Sequence, residues 1–183
     1  QWGGSSELMT LYKAEQGTEV TTPIRADVFS GFYINELLIR LLHKHDPHPE
    51  LFTCYAGCLA RLRAGSEQDI ALRYFELDLL EGLGYAMNLH SDVSSGTPLA
   101  PDAQYHYIIE HGPTLATTQA ADCLVISGAT LTALAGRALA NSTQRNEAKL
   151  LMRTVLDHYL GHRPLKSREL LLSKKLLLAS ASS

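Results

Sequence analysis

Apolar residues recur at three- and four-residue intervals through much of the chain after residue 27, the spacing that places them on one face of a helix. The first such stretch covers about 27 to 45, and the second covers about 50 to 64. The segment 46–49 carries two prolines, which break a helix, and Gly65 can take the left-handed conformation that often ends one. The pattern therefore predicts two consecutive helices.

The same spacing continues further along the chain and predicts four more helices. Ser66 and Ser127 suit the position before a helix, because a serine hydroxyl can accept a hydrogen bond from a free N–H of the first turn. In chain order, these helices run from Ser66 to near Gly82 or Gly84, from Ser127 through Leu134, from about 143 to 160, and from about 165 to 178.

Two parts of the chain lack the helical spacing. Residues 7–16 mix apolar and polar positions and favour a strand, the last of a sheet whose other strands are absent. Residues 88–102 are rich in Asn, Ser, Gly, Pro and Asp and predict an exposed loop. The runs 104–109 and 114–117 then flank a turn, which favours a small hairpin. The fold class is thus mainly α: a helical domain with a small β-hairpin insert, preceded by a β remnant.

Composition agrees with a folded globular chain, since 45% of the 183 residues are apolar. No apolar run approaches the ~20 residues needed to cross a bilayer, so we expect no membrane partner. Three cysteines without the spacing of a disulfide framework favour a reducing, cytoplasmic setting. The chain starts at Gln1 with neither Met nor the order of a signal peptide, and we expect the beginning of the protein to be missing.

Charge is distributed unevenly along the chain. The net charge of −3 does not by itself indicate nucleic acid. Residues 1–136 hold 7 Lys and Arg against 16 Asp and Glu, whereas residues 137–183 hold 9 against 3. A basic end on an acidic chain indicates an anionic partner for that end. The alternative is that the two parts fold together and pair their charges internally.

The turn after the long predicted helix combines a helix start with basic residues. Gly161 can end that helix, and Pro164 suits the first turn of the next because its missing N–H needs no partner there. Lys166 and Arg168 follow, although cations oppose the dipole at a helix N-terminus. A phosphate or carboxylate bound at this position would resolve the conflict. The alternative is a solvated turn whose charges point into water.

Basic residues also precede and follow this turn. Arg145, Lys149 and Arg153 are spaced four apart and lie along one helix face. Phosphate contacts by such residues would give salt-sensitive binding, whereas base stacking is not indicated because aromatic residues are scarce here. The candidates for DNA contact are Arg153, Arg163, Lys166, Arg168, Lys174 and Lys175.

A second candidate site lies near the start of the third helix. Arg73 is followed by the apolar residues Phe75 and Leu77. An arginine beside an apolar pocket can capture an acidic peptide with an apolar end through a charge-assisted hydrogen bond. Alternatively, Arg73 is an ordinary surface residue and its apolar neighbours belong to the core.

Motifs for metal binding and catalysis are weak. The segment 43–48 holds three histidines, but only one further candidate ligand, Asp46. Cys54 and Cys58 lie four apart on a helix, where small apolar filling of the packed face explains them better. The chain has no nucleophile elbow, Walker A loop, dinucleotide fingerprint or zinc-protease motif. We therefore predict no metal site, no cofactor and no enzymatic activity.

Three stretches are specific enough to suggest a family. They are SGFYINELL at 30–38, LRYFEL at 72–77 with LGY at 83–85, and YLG at 159–161 with PLKSREL at 164–170. In this order they resemble the RecO family, the bacterial recombination mediators of the RecFOR pathway. The resemblance covers most of the chain from about residue 27 onward.

The resemblance implies an N-terminal OB barrel, with residues 1–20 as its C-terminal remnant. The helical domain would then occupy 21–183, with its β insert at about 88–126. Some family members carry a four-cysteine zinc site in the insert, but 88–112 contains no cysteine, so we predict no zinc here either.

The function that the resemblance implies is DNA repair without catalysis. RecO-like proteins bind single- and double-stranded DNA and anneal complementary strands. With RecR, they load RecA onto DNA coated by single-strand binding protein (SSB), which implies a cytoplasmic, nucleoid-associated protein.

The resemblance also implies docking of the acidic C-terminal tail of SSB. The family site includes an arginine at the start of the third helix, which matches Arg73, and Phe75 and Leu77 would shape the pocket. The alternative function is a helical protein-interaction module with no direct DNA role.

Overall fold

The computed structural model describes residues 2–3, 10–11, 28–65, 67–116, 124–161, 163–171 and 173. Its architecture is mainly helical with a small antiparallel sheet, which confirms the fold class predicted from the sequence. The elements are β1 (Trp2–Gly3), β2 (Thr10–Leu11), α1 (Val28–Leu41), α2 (Pro49–Ala64), α3 (Gln68–Gly82), β3 (Gln104–Ile108), β4 (Gly112–Leu115), β5 (Leu124–Ser127), α4 (Gly128–Ala135), α5 (Ser142–Leu160) and a helical segment at 166–171.

Helix α3 occupies the centre of the helical part, in contact with α1, α2 and α5. Eight of its 15 residues are buried, including the polar residues Arg73 and Glu76. Burial on more than one face distinguishes α3 from a surface helix, which hides only one stripe. The other helices complete this part of the core with residues that include Ile34, Leu37, Leu62, Leu131, Leu134, Leu151, Met152 and Leu156.

The predicted β insert is a three-stranded sheet in the order β4-β3-β5. Its centre is Tyr105 of β3, which pairs with Leu115 on one side and Ile126 on the other, and Tyr107 shares its buried face. The hairpin of β3 and β4 confirms the prediction, whereas β5 was not predicted. Its first three residues form a short apolar run, and such a run gives no period by which a strand can be recognised.

Several element ends differ from the predicted ones. Helix α1 ends at Leu41, earlier than predicted, and the chain then turns through His45 with a φ of 66°. The residue before α3 is Glu67, while Ser66 lies outside the described residues. Ser127 does cap α4, accepting a hydrogen bond from the N–H of Thr130 at 3.2 Å.

Other predictions fall mostly outside the described residues. The strand predicted at 7–16 is described only as β2, which pairs antiparallel with β1. Lys174 and Lys175 lie outside the described residues. The OB remnant at 1–20 and the domain limits stay predictions.

Two charged residues one turn apart on α1 hold the turn after α5. The Glu36 carboxylate accepts hydrogen bonds from the N–H of Lys166 (2.9 Å), the N–H of Ser167 (2.8 Å) and the Ser167 hydroxyl (2.6 Å). Arg40 donates to the carbonyl oxygen of Leu160 at 2.9 Å. An anion thus satisfies the start of one helical segment and a cation the end of another, as the helix dipole favours.

These contacts change the pKa of the Glu36 carboxyl. Partial burial alone would raise its pKa, but the bonds from Ser167 and Lys166 and the charge of Arg40 together lower the pKa below its ordinary value. Lys166 therefore lies beside a helix N-terminus that already has its anion, a carboxylate of the same domain.

Replacing Glu36 with Gln removes the charge that these donors face. We expect the free energy of unfolding to fall by about 1–3 kcal/mol at neutral pH, because hydrogen bonds to a charged acceptor weaken. The contribution of Glu36 is present above its ordinary pKa of 4.5 and is lost as the pH falls through the lower folded-state value. Urea denaturation during stepwise acidification measures both effects.

Glu81→Gln is the matched control, because Glu81 is exposed on α3 and its side chain forms no ion pair with another described residue. Equal losses in the two variants would contradict the role of Glu36. So would a difference between Glu36→Gln and the unmodified protein that stays constant through acidification.

Candidate functional site

A groove of about 310 Å³ runs between α2 and α3. Its apolar wall includes Phe75, which is 1% exposed, and Tyr74, which is 7% exposed. Three charged residues also line it: Arg61, Asp78 and Arg137. The groove therefore combines apolar surface with two guanidinium groups, the chemistry that suits a ligand with both an apolar and an anionic part.

The spacing of residues along α2 and α3 creates this groove. On α3, Ala71, Tyr74, Phe75 and Asp78 are three or four residues apart and share one face. The facing side of α2 contributes Gly57, and a Cβ built on this glycine would meet no atom within 4 Å. The absence of a side chain at this position therefore keeps the groove open.

The cations of the groove differ in how they are held. Arg61 is exposed and has no ion pair within the described residues. Arg137 forms an ion pair with Asp78, donates to the carbonyl oxygen of Tyr74 at 3.3 Å, and places its guanidinium carbon 5.5 Å from the centre of the Tyr74 ring. One guanidinium is thus free and the other is fixed.

The thiols of the groove are unsuited to nucleophilic chemistry. Burial raises the pKa of Cys58 to about 12, and burial together with the Asp78 charge raises the pKa of Cys54. Both thiols are therefore protonated at neutral pH, when a thiolate would be needed as nucleophile or metal ligand. They act as small apolar wall residues, as the sequence suggested.

The predicted tail-binding residues Arg73, Phe75 and Leu77 do not share one surface. Phe75 lines the groove, while Arg73 lies about half a helical turn away and is 7% exposed. Leu77 is partly buried against the core and is not in the groove wall. Sequence spacing alone could show this separation, because residues two apart on a helix point in different directions.

Arg73 has a partner inside the domain. Its Nη2 donates to Oε1 of Glu76 at 2.5 Å, and the hydroxyl of Tyr33 donates to the same oxygen at 2.7 Å. Glu76 is 0% exposed, and burial raises its pKa against the opposing effects of Arg73 and the Tyr33 hydroxyl. The role of Arg73 in tail binding stays a prediction of the resemblance.

Among the predicted DNA contacts, Arg153 and Arg168 pair with the same carboxylate. Arg168 donates to Oδ1 of Asp157 at 2.5 Å, and Arg153 lies 3.6 Å from Oδ2. The guanidinium of Arg168 also lies over the Tyr33 ring, 5.6 Å from its centre. These two cations are therefore paired within the protein, which was the alternative to an anionic partner in the sequence analysis.

Other basic residues of this region remain available for a partner. Lys149, Arg163 and Lys166 are exposed, and their side chains form no ion pair in the described part of the chain. Arg145, in contrast, pairs with Glu67 at 2.8 Å. The basic face on α5 predicted from spacing is therefore partly neutralised.

No group of three or more potential metal-ligating side chains occurs among the residues that the structure describes. In the histidine segment, Nε2 of His48 lies 3.2 Å from Oδ2 of Asp46. No described helix is both long and apolar enough to cross a membrane.

Sequence reasoning missed Arg61, Asp78 and Arg137 as groove residues. Arg61 has a visible signal, because it lies one turn beyond Gly57 on the same face of α2. Arg137 has none in its local sequence, since it reaches α3 from the end of α4, more than 50 residues away in the chain.

Comparison with known proteins identifies the family. Residues 26–169 match the family model described as Recombination protein O C terminal. The DNA repair protein RecO of Nitrosospira multiformis is 47% identical over 173 residues, 93% of this chain and 71% of that protein. The DNA repair protein RecO of Methylococcus capsulatus is 45% identical over 169 residues, 92% of this chain and 69% of that protein. The chain therefore belongs to the RecO family of DNA repair proteins.

Proposed function

We propose that this protein is a recombination mediator that binds SSB through the α2–α3 groove and DNA through exposed cations of its basic end. Family membership supports a DNA repair role. The groove supports the contact with SSB, because an acidic tail with an apolar end matches its two guanidinium groups and apolar wall. Strand annealing and RecA loading with RecR belong to the same proposal and rest on the family resemblance alone.

The groove suits a short peptide better than a folded surface. A cavity of about 310 Å³ lies at the lower end of the range for small-ligand sites, enough for an apolar side chain and its terminal carboxylate. Arg61 is free to pair with a carboxylate at its rim. Phe75, predicted from the sequence as a pocket residue, lies in the groove wall, but at 1% exposure it offers a ligand little contact surface.

The charge part of the proposal is tested with Arg61→Ala. We expect the affinity for a labelled SSB tail peptide, measured by fluorescence anisotropy, to fall about 3- to 30-fold, the effect of removing a charge-assisted hydrogen bond. Arg63→Ala is the matched control, because Arg63 is exposed on the same helix but outside the groove wall. An unchanged affinity in Arg61→Ala would contradict the site.

The shape part is tested with Gly57→Met. Its Cβ meets nothing within 4 Å, so the new side chain extends into the groove without a backbone clash and should block the peptide. Gly31→Met is the control, because Gly31 is also helical, has equally open space and lies on α1. Peptide binding that survives in Gly57→Met with full affinity would place the tail elsewhere.

Arg73 needs a variant that leaves no buried charge alone. Arg73→Ala would isolate Glu76 and lower stability by about 3–5 kcal/mol, so a loss of binding could reflect unfolding. The double variant Arg73→Met with Glu76→Gln removes both charges and keeps an acceptor for Tyr33. From its burial we expect near-normal peptide affinity, whereas a loss of tenfold or more in the folded double variant would assign Arg73 to the tail site.

DNA contact is tested with Arg163→Ala and Lys166→Ala combined in the full-length protein. Each phosphate that is no longer neutralised by a cation should reduce the slope of log affinity against log salt by about 0.9, so we expect a reduction of about 1–2. Arg61→Ala with Arg63→Ala is the control, since both are exposed cations on α2 and neither is a predicted DNA contact. Equal slopes in all variants would favour the interaction module without a DNA role, which the internal pairing of Arg168 and Arg145 also supports.

A further inference from the structure

The groove between α2 and α3 contains one carboxylate of its own. Asp78 lies in its wall, side by side with the two arginines that suit an anionic ligand. We propose that Asp78 occupies Arg137 in the free protein and competes with the carboxylates of an incoming acidic peptide, so that Asp78 sets the affinity and selectivity of the groove. This inference rests on the proposed function of the groove.

The contacts of Arg137 show that Asp78 takes the position of an anionic ligand. The Nη2 atom of Arg137 donates to Oδ1 of Asp78, and its Nη1 atom donates to the carbonyl oxygen of Tyr74 at 3.3 Å. The guanidinium also rests over the Tyr74 ring. Within the described residues, Asp78 is the carboxylate with which Arg137 forms an ion pair.

The pair is accessible from solvent. The side chain of Arg137 is 42% exposed and that of Asp78 is 22% exposed. A ligand carboxylate can therefore approach the same guanidinium without opening the core. An exposed ion pair contributes little net free energy, because water screens both charges. A ligand that brings several carboxylates can therefore displace Asp78.

The backbone keeps Arg137 at this position. Arg137 follows Gly136 at the end of α4 and has a φ of 53°, the left-handed conformation found after many helices. Its N–H donates to the carbonyl oxygen of Leu134 at 3.2 Å. Since α4 ends there, the side chain extends to α3, where its contacts with the carbonyl oxygen and the ring of Tyr74 do not involve Asp78.

The charge balance of the groove shows why one carboxylate matters. The groove wall holds two cations and one anion, and the Cys54 thiol beside Asp78 is neutral. Asp78→Asn keeps the shape and an acceptor oxygen for Arg137 but leaves two cations without a fixed anion. Asp78→Asn also removes any repulsion between the Asp78 charge and the peptide. The experiment must therefore separate this direct repulsion from competition for Arg137.

Four proteins separate direct repulsion from competition: the unmodified chain, Asp78→Asn, Arg137→Gln and the double variant. Asp78→Glu is added as a variant that restores the charge. The probe is a labelled synthetic peptide of acidic residues that ends in a phenylalanine carboxylate. We expect Asp78→Asn to bind it about three- to fivefold more tightly, the scale of a partly exposed ion pair. The gain should shrink to less than about twofold in the Arg137→Gln background, and Asp78→Glu should restore the original affinity.

Other outcomes overturn the inference. An equal gain in both backgrounds would mean that Asp78 repels the peptide directly, without competing for Arg137. An unchanged or weaker affinity of Asp78→Asn, with the unmodified protein still binding, would remove Asp78 from the site and leave the proposed function intact. If none of the four proteins binds the peptide, the proposed function fails and the inference fails with it.

Discussion

The buried carboxylate of Glu76 is the constraint around which the helical domain is arranged. A charge that is 0% exposed needs partners in fixed positions, and they come from two helices: Arg73 one turn away on α3 and Tyr33 on α1. Tyr33 in turn carries Arg168 over its ring, and Arg168 binds Asp157 on α5. This connected series ties α3, α1, the 166–171 segment and α5 into one arrangement. Its effect on function is indirect: it commits one face of α3 to the interior and leaves the opposite face for the groove.

Internal pairing also explains why the charge asymmetry of the sequence overstates the basic surface. The C-terminal region has an excess of cations, but Arg168 is held by Asp157 and Arg145 by Glu67, and the helix start at Lys166 is satisfied by Glu36. Net charge counts residues and not their neighbours, so it gives an upper limit for the cations that a polyanion can reach. Under the proposed function, the exposed cations without such a partner are the candidates for DNA contact.

Local pattern was sufficient for the helices, because three- and four-residue apolar spacing gives each of them one face that can pack against a core. The cap at Ser127 followed from the same kind of local chemistry. The strand β5 did not, because its run of three apolar residues shows no period. The sequence indicated that the helix start at Lys166 would bind an anion. It could not indicate that Glu36 supplies this anion, because Glu36 lies 130 residues earlier in the chain and reaches the turn only through the packing of α1. The groove shows the same limit, since Arg137 joins it only through tertiary structure.

A groove between two packed helices has a consequence for recognition. Helices α2 and α3 pack against each other, and α2 ends at Gly65 in the left-handed conformation, so a ligand of the groove would order few protein groups on binding. In the proposed function, the groove selects its ligand by shape as well as by charge. A DNA phosphate offers an anion without an apolar end, whereas a tail with a terminal apolar residue can use both the guanidinium groups and the apolar part of the wall. If the proposed function holds, the separation of the groove from exposed cations elsewhere lets the protein tail and the polyanion bind without sharing one site.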